Sequence, residues 1–287
     1  MTITLDAPRS APLLRRPLEM YDKLMREVAH AGLRGRPPLL APVTDEDIDA
    51  LCAPARRYFR FMGVVGKPLT WSLRAHFMGS FRLRPDAAWL PCHALQYNSA
   101  ASVARIFHMR LRYHHLPLLV RDTYLHGRGR MSARLFDAIP MVEVSDERIA
   151  TGELVTYLND AVLFAPSMLL LLATSFREVD GDCFDVTLRD GNLEVGARVF
   201  LDARGAVTQF STTDRFGNDP ASPAEMVRAR WTTPVRAWRW IGDLPVPASA
   251  TATWHFASGD FTYADFSLVS LEHDVAPGTL GEAPSAP

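Results

Sequence analysis

Lysine is nearly missing from this chain. Of its 31 basic residues, only Lys23 and Lys67 are lysines. The arginines that replace it carry a planar fork that suits carboxylate, sulfate or phosphate. Codon bias accounts for the same pattern without any function. Cysteine is scarce too: Cys52, Cys92 and Cys183 are odd in number, widely spaced and form no CxxC. That argues against a disulfide framework or a structural zinc site and leaves buried free thiols. Net charge is lacking, at -1, which speaks against a nucleic-acid partner, since that needs a basic face. There is no long hydrophobic run. The longest, near 162–173, contains Pro166 and is too short to span a bilayer. The first residues, MTITLDAPRSAPLLRRP, have no apolar h-region, so a cytoplasmic location is expected. Five histidines, His93, His108, His114, His115 and His126, raise a metal question, but no HExxH or Cys/His pairing supports it and no metal is expected. GRGRM opens no helix, and no GxSxG elbow occurs, so neither a dinucleotide fingerprint nor a serine hydrolase site is read here.

What is present is an ordinary globular composition over 287 residues, 48% hydrophobic and 22% charged, enough for one large domain or two small ones. Residues 1–16 are proline-punctuated and read as a flexible arm. Residues 17–68 read as helical: Pro17 suits a first helical position, and Thr44 can cap a helix with Asp45, Glu46 and Asp47 in its first turn. From Leu69 the period changes to two. Trp71, Leu73, Ala75 and Phe77 alternate with Ser72, Arg74 and His76. Similar tracts continue to about 273, punctuated by Gly181, Gly191 and Gly205 in tight-turn signatures. One helix, about 146–160, interrupts them, and a short helical piece follows Pro166. The aromatics Trp231, Trp238, Trp240, Trp254 and Phe261 read as core or as the apolar wall of a cavity. The last residues, 274–287, read as a disordered tail. The fold class expected is α+β, mainly β: a curved antiparallel sheet over 69–273 with N-terminal helices.

The densest run of reactive side chains is LLVRDTYLHGRGRM, from Leu118 to Met131. On a strand, Val120, Asp122, Tyr124 and His126 share one face. A carboxylate beside a phenol and an imidazole forms an acid–base array if that face is concave. If it faces solvent, Asp122 is one half of an Asp–Arg ion pair. Arg112, with Arg110, supplies countercharge on the preceding strand, and Arg121 is a second anion holder; a solvated face is the competing reading. In TGELVTYLND, Glu153, Tyr157 and Asp160 stand at i, i+4 and i+7, one helical face. That face either caps the mouth of the sheet or meets solvent. DRFG at 214–217 reads as a strand end with a structural Asp–Arg pair.

The blocks PARRYFRFMGVVGKP, PLLVRDTYLHGRGRM, TGELVTYLNDAVLFAP and DARGAVTQFSTTDRFG resemble a bacterial family of proteins of unknown function. The resemblance runs from about 54 to 266. It implies a half-barrel like that of the lipoprotein carriers, an antiparallel sheet wrapped around a helix. Many members of that family carry N-terminal membrane helices that are not read here, and GDFTYADF stands where the family often has a Tyr-Trp-Arg type ending, so a different ligand is expected. The leading functional expectation is a cofactor-free enzyme on a polar or zwitterionic metabolite, tailoring a secondary metabolite by elimination, cyclisation or hydrolysis. Asp122, Tyr124 and His126 would be catalytic; Arg112, Arg121, Glu153, Tyr157 and Asp160 would bind substrate. One alternative is a carrier of an apolar ligand. Another is an accessory subunit completing a partner's site, or a homodimer. The discriminating feature is which face of the 118–126 strand looks inward.

Overall fold

A computed structural model describes residues 2–4, 15–37 and 41–278. Fourteen strands among them form one antiparallel sheet. The short β1 (Thr2–Thr4) precedes three helices, α1 (Arg15–His30), α2 (Asp45–Asp49) and α3 (Ala53–Phe61). A first meander follows: β2 (Ser72–Phe81), β3 (Leu90–Ser99), β4 (Ala104–Tyr113), β5 (Leu116–Leu125), β6 (Arg128–Leu135) and β7 (Ile139–Val144). Helix α4 (Glu147–Phe164) and a 3-10 turn (Pro166–Leu170) then cross to the second meander. Its strands are β8 (Ala173–Asp180), β9 (Cys183–Asp190), β10 (Leu193–Leu201), β11 (Val207–Asn218), β12 (Met226–Ile241), β13 (Leu244–Phe256) and β14 (Gly259–His273). The two meanders join where β2 pairs with β14, leaving β7 and β8 at the two ends.

The sheet curls around α4, which touches β4, β5 and β6 from one meander and β10, β11 and β13 from the other. This is the half-barrel. From Ile149 to Phe164 the helix is buried on nearly every side, its polar Glu153, Asn159 and Asp160 included, so it is enclosed all round. Leu154, Val155, Leu158, Ala161 and Val162 are each fully buried. Its start is set by Asp146, which accepts the Ile149 N–H at 2.9 Å. It runs to Phe164, past the expected end near 160, because the apolar run continues and still needs cover; Pro166 stops it. Gly129 on β6 lets the helix seat closely. A Cβ there would stand 2.4 Å from the Ala150 backbone.

Strand alternation sorts the side chains. Leu73, Ala75 and Phe77 of β2 and Phe107, Met109 and Leu111 of β4 join the central core. On the convex side, Leu95, Tyr97 and Ile106 meet Tyr21, Leu24, Met25 and Val28 of α1 in a second, smaller core. Arg74 also points outward, paired with Glu272 at 2.6 Å and bonded to Tyr21.

The structure corrects two local expectations. Thr2–Thr4 of the supposed arm pairs with β14; residues 5–14 lie outside the described residues. The chain stays attached as far as Val275, whose carbonyl accepts the Tyr97 and Ser72 hydroxyls at 2.9 and 2.8 Å; residues 279–287 of the expected tail lie outside the described residues. His114 and His115, two of the five histidines weighed for a metal, lie outside the strands. Both have positive φ, 45° and 66°, and form the two-residue turn between β4 and β5. Among the described residues no helix is long and apolar enough to cross a membrane.

Candidate functional site

A cavity of about 420 Å³ lies between α4 and the concave face of the sheet. Its walls are largely apolar, with Phe77, Phe107, Met109, Val120, Phe164 and Phe266 among them. Towards α4 it meets a compact group of charges. Arg105 projects inward from β4 and bonds both acids of the helix: its guanidinium lies 2.8 Å from Glu153 and 2.9 Å from Asp160. The Asn98 amide donates to Asp160 at 3.1 Å. These side chains are at most 7% exposed, so the ion pairs are buried and each polar atom needs a partner. Burial raises the Asp160 carboxyl above its usual range, against the pull of Arg105.

Asp122 sits on β5, opposite Phe107 of β4, and faces this cavity. Burial, reinforced by the Glu153 charge, pushes its carboxyl up to about 8, although Arg105 and Arg215 oppose the shift. Its Oδ1 has no hydrogen-bond partner among the described residues. Arg215 enters from β11. Its guanidinium lies 4.3 Å from the Trp231 ring and 5.3 Å from that of Trp254, an arrangement favoured by the ring quadrupoles. Among the described residues it makes no ion pair, and its Nε is unpartnered. The Gln96 amide nitrogen, also on the cavity wall, is unpartnered as well. Gly217 permits this packing, because a Cβ there would come within 3.0 Å of the Trp254 ring.

The remaining residues singled out from the sequence lie elsewhere. Tyr124 turns inward like Asp122, but its hydroxyl donates to Asp190 at 2.6 Å, at the end of β9. Burial and that carboxylate both raise its pKa. His126 is not on the Asp122 face. The strand ends at Leu125, and His126 takes φ 52° in the turn, with Nε2 3.0 Å from the Ala31 carbonyl. Arg121 points to the convex side and pairs with Glu27 of α1, which also meets His108 at 2.8 Å. Burial alone would raise the Glu27 carboxyl, but these two partners outweigh it and hold it at about 2. Arg112 is exposed near the end of β4. Tyr157 is fully buried and donates to the Ser99 carbonyl at 3.0 Å. The structure therefore gathers Asp122, Glu153 and Asp160, and separates them from His126, Arg112 and Arg121. Among the described residues no group of three or more His, Cys, Asp or Glu could hold a metal ion.

Sequence reasoning missed Arg105, Arg215 and Gln96. Arg105 and Gln96 had a signal: each falls in step with apolar inward residues, Phe107, Met109 and Leu111 in one strand, Ala94 and Cys92 in the other. Arg215 had none. A bulge between Thr212 and Arg215 resets the register and turns it inward. The structural pair expected in DRFG forms between Asp214 and Arg228 instead.

A family model described as a family of unknown function, DUF6544, matches residues 41–266. The chain belongs to DUF6544. That match takes in β2 to β13 and all the residues named here around the cavity. Among solved structures, this DUF6544 chain is similar to a DUF1329 family protein from Desulfovibrio piger, with 12% identity over 78% of this chain and 92% of that one, at a TM-score of 0.41. It is also similar to a domain from Vibrio parahaemolyticus described as an outer membrane lipoprotein-sorting protein, with 10% identity, coverage of 74% and 88%, and a TM-score of 0.40. No curated protein matches it.

Proposed function

We propose that this protein is a binding or carrier protein that holds a small amphipathic molecule in the half-barrel. The observation that carries this reading is the two-part cavity: apolar walls with a few unpartnered polar groups gathered beside α4. Ligand sites are commonly built this way, with apolar surface for affinity and sparse polar groups for orientation. Asp122, Arg215 and Gln96 support it, because each lines the cavity and keeps a side-chain atom without a protein partner, a hydrogen-bonding capacity that a ligand's polar head can take up. The test is titration with Nile red, a neutral dye that brightens in apolar surroundings. Saturable one-site uptake, displaced by a single-chain amphiphile, is expected; its absence would end the reading. Native mass spectrometry of protein purified from its own host would identify the resident molecule.

A second reading is favoured by one feature. Asp122 has a carboxyl at about 8, inside the cavity and free to bond, the condition for general acid–base work near neutral pH. In that case the protein converts its ligand. Asp122→Asn separates the two. Loss of conversion of a co-purified metabolite by the folded variant would establish the enzyme, and an unaltered metabolite with both proteins would leave the carrier.

A further inference from the structure

We propose that the ligand is headed by a single carboxylate, received by the edge of Arg215 together with Gln96 and Asp122. The inference rests on the binding reading above and specifies the chemical class of what is bound. Three residues that line the cavity, Gln96, Arg215 and Asp122, each carry a buried side-chain atom without a hydrogen-bond partner among the described residues. Gln96 Nε2 and Arg215 Nε are both donors. Asp122 adds a third donor when its carboxyl carries a proton. A head that only accepts hydrogen bonds satisfies all three, whereas an ammonium head satisfies neither nitrogen.

The charges point the same way. Arg105 is occupied by Glu153 and Asp160. Among the described residues Arg215 makes no ion pair, the carboxyl it acts on being the raised Asp122, and a guanidinium stays charged under all protein conditions. Its two flanking indoles, Trp231 and Trp254, cover it without neutralising it. The fork edge that remains matches a carboxylate in shape. Burial chiefly holds the Asp122 carboxyl up, to about 8, which favours its protonated form near neutral pH. That form offers a proton to the incoming anion where an ionised Asp122 would repel it. The cavity, about 420 Å³, lies towards the small end of ligand pockets, which run from roughly 300 to 1,000 Å³. That favours one alkyl or aryl body behind the head over a lipid with several chains.

The experiment is displacement of Nile red from the full chain by decanoate, decanol and decylamine, each below its aggregation concentration. Decanoate is expected to displace the dye about tenfold or more better than decanol, the preference that a charge-assisted hydrogen bond supplies. Decylamine should be the weakest of the three. The decanoate affinity should fall as pH rises through about 8, while that of decanol stays level. Arg215→Gln should collapse the ratio of decanoate to decanol, and Arg215→Lys, which keeps the charge without the fork, should recover part of it. The circular dichroism of each variant checks its fold. Nile red binding with decanol equal to decanoate, or with decylamine preferred, overturns the carboxylate assignment and leaves the binding reading standing. No Nile red uptake at all removes the binding reading itself. The comparison on the unaltered protein needs no variant to fold.

Discussion

Arg105 and Asp122 show how much a single buried charge decides here. Arg105 is the shared counterion of two helix carboxylates. Arg105→Met would leave Glu153 and Asp160 enclosed without it, a loss of about 3–5 kcal/mol by the usual cost of breaking a buried pair. Chemical denaturation of that variant measures it. Asp122 has the opposite character, because its folded carboxyl lies above the ordinary 3.8, at about 8. A raised carboxyl makes the folded protein hold a proton that the unfolded chain releases. Its contribution to stability is complete below about 3.8 and is lost as pH climbs through about 8. The unfolding free energy of the unaltered protein should therefore decline over that window, and Asp122→Asn should flatten the decline; equal slopes would show that Asp122 is not the proton holder. At this scale the sequence was partly legible. Glu153 and Asp160 could be placed on one helical face by counting, and Asp122 by strand parity. Arg215 could not, since a bulge changes parity without any residue that announces it. His126 was misplaced for a related reason: parity stops where the strand ends.

Helix α4 matters as an element because it supplies both the floor of the cavity and the crossing between meanders. Its sequence pattern disclosed the helix but not its depth. The shared face of Glu153, Tyr157 and Asp160 can be read from spacing, whereas the enclosure of the other faces depends on strands far along the chain. The contact that seats it is Gly129 against Ala150, where a methyl group would meet backbone at 2.4 Å. Backbone on both sides can give little, so Gly129→Ala is expected to cost about 1–3 kcal/mol or more. It should also loosen the grip on Nile red by shifting Glu153 away from Arg105. Thermal unfolding reads the first effect and dye titration the second. Helix α1 fixes the convex side through Leu24 and Val28, both fully buried. Its Glu27 ties down Arg121, the residue that from sequence alone looked like an anion holder.

For the whole molecule, the alternating tracts and glycine turns were sufficient to foresee a curved antiparallel sheet. Strand order was less accessible, because nothing local specifies that β2 and β14 become neighbours. The end strand β7 is also unusual for an exposed edge. Ile139 and Met141 are 54% and 58% exposed and Val142 is 40% exposed, with Glu143 as its only charge. Val142→Lys should reduce self-association in concentrated solution, as light scattering would show. The order of the sheet has one more consequence. Every pairing along its path joins strands consecutive in the chain, except that of β2 with β14. Each meander can zip up from its own hairpins soon after synthesis, but the seam between them waits for the final strand to emerge. Until then α4 lacks part of its enclosure. Folding should accordingly show a fast phase of hairpin formation and a slow one of seam closure, with the buried Arg105 cluster assembled only in the second.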